Sequence, residues 1–165
     1  MRRALILTSS AWFLFRQYTM WVSIMLGCLT ISIASAGDRV TDQFPRIQPC
    51  PLSPNCVSSA AGAGSHFIEP LTAVGDPQAL ISAIKANLQE DAAFSIVESE
   101  SSYLRAEART RFFRFVDDVE FQIREGSDVV DVRSGSRVGY SDLGKNRRRL
   151  EALREMLVTA ELVSG

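Results

Sequence analysis

The side chains best suited to hold an anion are concentrated between Arg133 and Arg149, in the string R-S-G-S-R-V-G-Y-S-D-L-G-K-N-R-R-R. Arg133 and Arg137 offer planar, bidentate donors, and Ser134, Ser136 and Tyr140 add hydroxyls. Asp142 stands where a helix should begin, and Asn146 follows one turn later. A helix start with free N–H groups, hydroxyls and nearby guanidinium groups can take a carboxylate or a phosphate. Asp117 or Asp118, on a neighbouring strand, can sit across from the arginines and orient them. The competing reading is a structural network in which Arg133 and Arg137 pair with Asp118, Glu120 and Asp142. It is favoured, because arginine–carboxylate networks are common without any function.

Outside this string the reactive groups are few. Cys50 and Cys56 flank the short sequence P-L-S-P-N. In an exported chain such a pair reads first as a disulfide. Across so short a loop a bridge contributes roughly 2 kcal/mol, so it shapes the loop more than it holds up a domain. Zinc ligation by Cys50, Cys56 and His66 is disfavoured, because the spacing fits no standard pattern and no fourth ligand is evident. A catalytic thiol at Cys56 with His66 is disfavoured by the nearby second cysteine. Asp117 and Asp118 adjoin on a strand and point to opposite faces, so they cannot work as a pair on one substrate. The chain has no glycine-rich phosphate loop, no G-x-S-x-G and no H-E-x-x-H. No metal or cofactor is implied. Arg147-Arg148-Arg149 spreads around the last helix and reads as a solvated face, able to touch anionic lipid near a membrane.

These residues need elements to position them. From Gly37 to Gly75 five prolines and the small-residue run from Ser58 to Ser65 predict an extended arm containing the constrained Cys50–Cys56 loop. Asp76 as a cap and Pro77 in the first turn open an amphipathic helix over residues 77–90, with Leu80, Ile81, Ile84 and Leu88 on one face. Four strands follow, over 94–98, 103–113, 118–124 and 129–137. Val119, Phe121 and Ile123 alternate with Asp118, Glu120 and Gln122, and Leu104, Ala106 and Ala108 with Arg105, Glu107, Arg109 and Arg111. Asp142 or Ser141 caps a last helix whose apolar line is Leu143, Leu150, Leu153, Leu157 and Ala160, with Asn146 close to that line. The expected fold is α+β: a four-stranded antiparallel meander with two helices on one face, preceded by an extended, disulfide-looped arm. The other face is expected to carry cross-strand ion pairs.

The first 36 residues contain Arg2, Arg3 and Arg16 but no acidic residue, then an apolar run from Trp21 to Ile31, and end in Ala34-Ser35-Ala36. That is the form of a secretory signal, expected to be cut after Ala36. Retention as an N-terminal anchor and lipidation at Cys28 are the alternatives. The expected organisation is a leader over 1–36, a linker over 37–47 and one domain over 48–160. Without the leader's three arginines, 15 Lys+Arg face 19 Asp+Glu, a net charge of −4. An acidic body argues against nucleic-acid binding.

Three strings occur in order: C-P-L-S-P-N-C-V-S-S from Cys50 with H-F-I-E-P from His66, F-V-D-D-V-E-F from Phe115, and the arginine-rich string from Arg133. Together they resemble the family catalogued as domain of unknown function 1499, over about residues 48–157. The resemblance implies exported or membrane-associated proteins and no established activity. The function expected is therefore a non-catalytic binding or assembly module at the cell envelope or a membrane surface, with the periplasm as its compartment. Its partner would be an envelope protein or a small anionic ligand, with membrane contact through the leader. The alternative is an enzyme or ligand-binding protein for a small anion, using Arg133, Arg137, Asp118 and Asn146.

Overall fold

Asp76 caps the first helix as its sequence position predicts. Its carboxylate Oδ1 accepts the Gln78 N–H at 2.9 Å, and Pro77 opens helix α1, Pro77–Glu90. Leu80, Ile81, Ile84 and Leu88 are its buried residues. The computed structural model of the protein describes residues 46–110 and 113–165. The leader, its exit at Ala36, Cys28, the linker up to residue 45 and Arg111 lie outside the described residues.

The meander follows α1: β3 (Phe94–Ser99), β4 (Tyr103–Arg109), β5 (Val116–Ile123) and β6 (Val129–Ser136), each antiparallel to the next. Two further strands precede α1, β1 (Cys56–Ser58) and β2 (Leu71–Thr72). Both pair antiparallel with β6, so the sheet has six strands, in the order β1-β6-β5-β4-β3 with β2 also on β6. The expected arm is thus part of the sheet. A bare β6 would present a row of unpaired N–H and C=O groups, and the arm occupies them.

Helix α2, Lys145–Thr159, lies with α1 on one face. Between helices and sheet, Leu104, Ala106, Val119, Phe121, Val130 and Val132 meet Leu80, Ile84, Leu150 and Leu157, and the arm adds Val57, Ile68 and Leu71. Each large side chain buried here contributes about 1.5–3 kcal/mol. Leu143 does not belong to this layer. It is 83% exposed at φ 53°, and α2 starts two residues later. Asp142 accepts the N–H groups of Gly144 and Asn146, and Gly144 turns through φ 76°, which ends the approach before Leu143 can join the helix. Ala160, expected at the far end of that line, is the exposed C-cap.

The second face is partly roofed. Residues 46–50 cross it, and Ile47 is 3% exposed. The backbone N–H groups of Arg46 and Ile47 both donate to Gln122 Oε1, at 2.8 and 3.2 Å, and the Arg46 guanidinium lies 3.9 Å over the Tyr103 ring. Residues 46 and 47, expected in the linker, are therefore part of the packed structure.

Candidate functional site

Alternation along β6 divides the predicted set. Ser134 and Ser136 point to the helix layer, and Arg133 and Arg137 point to the second face. Strand β5 divides its carboxylates in the same way, with Asp117 towards the helices and Asp118 away. The eight candidates therefore do not converge; the sheet stands between them.

On the helix side Asn146 is fully buried. Its Oδ1 accepts from Ser134 Oγ at 2.6 Å and Arg149 Nη1 at 2.7 Å, and its Nδ2 donates to the Asn55 carbonyl at 2.9 Å and Ser136 Oγ at 3.0 Å. Two acceptor sites and two N–H groups are all an amide has, so it is fully satisfied. Ser136 Oγ donates to Asp117 Oδ1 at 2.6 Å, and Arg149 Nη2 reaches Asp117 Oδ2 at 2.6 Å. Asp117 and Arg149 thus form a buried ion pair inside a closed hydrogen-bond circuit. Arg149 was expected on a solvated face. Its three-residue spacing from Asn146 is the signal that places both on one side of α2. Arg147 is also engaged, donating to the carbonyls of Ser65 and Phe67.

The second face carries the expected ion pairs. Arg137 grips Asp118 with two hydrogen bonds, 2.8 and 2.7 Å, and reaches Glu107 at 2.7 Å. Arg105 lies 3.6 Å from both Asp118 and Glu98, and Arg46 bonds Glu98. The hydrogen bond from Arg137 holds the Asp118 and Glu107 carboxyls below the usual carboxylate range, and that from Arg46 does the same to Glu98. Glu120 takes Arg133 Nη1 at 2.5 Å and the Tyr103 hydroxyl at 2.9 Å. Burial, then the Glu120 charge, pushes the Tyr103 phenol well above its ordinary value. Arg133 Nε is buried with no partner among the described residues.

The Cys50–Cys56 disulfide sits over Gly135. A Cβ at that glycine would lie 3.2 Å from Cys56 Sγ and 3.4 Å from Arg133 Nη2, so the R-S-G-S-R string has no side chain where the bridge crosses. Asn55, inside the loop, accepts the Ser136 N–H through its carbonyl and donates Nδ2 to the Gly139 carbonyl at 2.6 Å. His66 Nδ1 donates to the Cys56 carbonyl at 2.9 Å, and a cleft of about 110 Å³ lies among Pro54, His66, Asp142 and Arg147. Tyr140 is 78% exposed.

The family model described as protein of unknown function (DUF1499) matches residues 46–157. The chain belongs to that family. The DUF1499 segment begins at Arg46, where the arm meets the sheet, and ends at Leu157, a buried residue of α2. No curated protein and no solved structure matches the chain. The DUF1499 assignment thus brings a fold unit and no chemistry.

Proposed function

We infer that this DUF1499 domain is a non-catalytic binding or assembly module, acting after export at the cell envelope or a membrane surface. The observation that carries the reading is a division of labour. Of the polar candidates all but Tyr140 are bonded within the protein, whereas large side chains are exposed on the turns around the disulfide loop: Leu52 at 99%, Tyr140 at 78% and Leu143 at 83%. Apolar groups left in water at neighbouring turns mark a surface that meets something. The leader supplies the compartment in this reading. Photo-crosslinking side chains placed singly at Leu52, Tyr140 and Leu143 in cells should give discrete adducts, and one at Val74, an exposed residue elsewhere, should not. Equal labelling from all four positions, or none, would overturn the reading.

A second reading, binding or turnover of a small anion, is supported by the cleft beside His66, Asp142 and Arg147. Phosphate titration followed by the His66 ring resonances tests it; an unmoved ring removes it.

A further inference from the structure

Three connections meet at one end of the sheet. Thr110 and residues 113–115 are the described part of the connection from β4 to β5, residues 137–144 join β6 to α2, and residues 50–55 form the disulfide loop. The Arg137 N–H bonds the Val116 carbonyl at 3.1 Å, and Asn55 bonds Ser136 and Gly139, so the three are neighbours. This end holds most of the exposed large apolar residues among those described. Phe113 (79%) and Phe115 (49%) stack with ring centroids 5.6 Å apart, and Leu52, Val138, Tyr140 and Leu143 stand on the other two turns.

The charge around these tips is positive, although the domain as a whole is acidic. Arg114 and Lys145 have no acidic partner among the described residues, and exposed Arg148 bonds only the Leu143 carbonyl there. The local acid, Asp142, is occupied with backbone N–H groups. Glu90 and Asp91 close α1 at the β3 corner of the same end, away from the 137–144 turn. The opposite end carries Glu100, Glu125 and Asp128 in its turns. At the tips the acids are engaged, Glu107 and Asp118 with Arg137 and Asp142 with backbone N–H groups, so Arg114, Lys145 and Arg148 are left as the cations without an acidic partner among the described residues.

Building on the binding-module reading, we propose that this end docks on an anionic phospholipid surface. Phe113, Phe115, Tyr140 and Leu143 enter the headgroup boundary, and Arg114, Lys145 and Arg148 contact lipid phosphates. The cleft beside these turns, among Pro54, His66, Asp142 and Arg147, is lined by none of these exposed apolar side chains, which stand on separate turns. A fluid interface accepts them without shape complementarity and also supplies the negative charge. At the opposite end Glu100 is paired with Arg46, and Arg124 with Asp131, so that end offers no comparable set of unpaired cations among the described residues.

The test uses the full chain with vesicles of phosphatidylglycerol and phosphatidylcholine that carry a photoactivatable acyl chain, the adducts being mapped by peptide. Labelling of peptides spanning 110–115 and 137–144 is expected. Reversing Arg114→Glu and Lys145→Glu should lower it by about fivefold per cation, leaving labelling of residues 1–36 unchanged. Pure phosphatidylcholine should reduce it in the same way. Adducts confined to residues 1–36, or labelling of the two connections that ignores lipid charge, would overturn the proposal. If vesicles leave the turns unlabelled while crosslinkers at Tyr140 and Leu143 capture a protein in cells, the lipid proposal falls and the binding-module reading stands. If both fail, both readings fall.

Discussion

Ser134 and Arg133 are neighbours in sequence, yet one closes a buried circuit and the other belongs to a partly solvated lattice. The Arg149–Asp117 pair carries the larger consequence. Its carboxylate is 3% exposed, and removing one partner of such a pair leaves an uncompensated buried charge. Arg149→Met should destabilise the domain by about 3–5 kcal/mol in urea unfolding, and adding Asp117→Asn should recover part of the loss. A double variant no more stable than the single one would contradict this account. Much of this was legible: period-two alternation put Asp117 and Asp118 on opposite faces, and Asn146 was expected near the apolar line. Arg149 was misread because a triple arginine looks like a solvated face unless its angle around the helix is compared with that of Asn146.

Among the elements, α1 and the four long strands follow from patterns several residues long. Strand β1 has three residues and β2 two, too few to display a period of two, and both sit in a proline-rich stretch that argues for an arm. The helix-positioning turn was half legible. Asp142 does bond the Asn146 N–H in the first turn, but the cap is Gly144 rather than Asp142 or Ser141, because the positive φ of Leu143 and Gly144 moves the helix start to Lys145. Reducing Cys50–Cys56 should cost roughly 2 kcal/mol and lower the melting temperature by several degrees. Hydrogen exchange should quicken first at the Ser136 N–H, which bonds Asn55 in the bridged loop. Exchange unchanged there on reduction would show that β1 holds the loop without the bridge.

At the scale of the whole molecule, the second face makes stability depend on acid. Asp118, Glu107 and Glu98 have folded-state pKa values below their unfolded ones. Their contribution is present above the unfolded carboxylate range of about 4 and is lost as pH falls through the folded values. Arg137→Gln should therefore lower the melting temperature at pH 7, with the gap to the wild type closing as pH falls below the unfolded carboxylate range and through the lowered folded values. A gap independent of pH would show that Arg137 acts by packing alone. The sequence pattern revealed the mixed charges of this lattice and the face that carries it, while its registers, Arg105 opposite Glu120 and Glu107 opposite Asp118, came from the structure. The pattern did not reveal the arm that covers it, because Arg46 and Ile47 look like linker until Gln122 is seen to accept both of their N–H groups.

The attachment of the arm to β6 also sets an order in time. Asn55 bonds Gly139, 84 residues later, and the Asn146 amide, 91 residues later, whereas Cys50 and Cys56 lie six apart. A chain made from its N-terminus can bring the two thiols together early. It cannot complete its sheet edge or its buried circuit until α2 has been synthesised, and distant contacts of this kind form late. Until the last segment has been made, the Asn55 carbonyl lacks its partner on Asn146 and the Asn55 side chain lacks the Gly139 carbonyl, so the disulfide loop is closed long before it is seated.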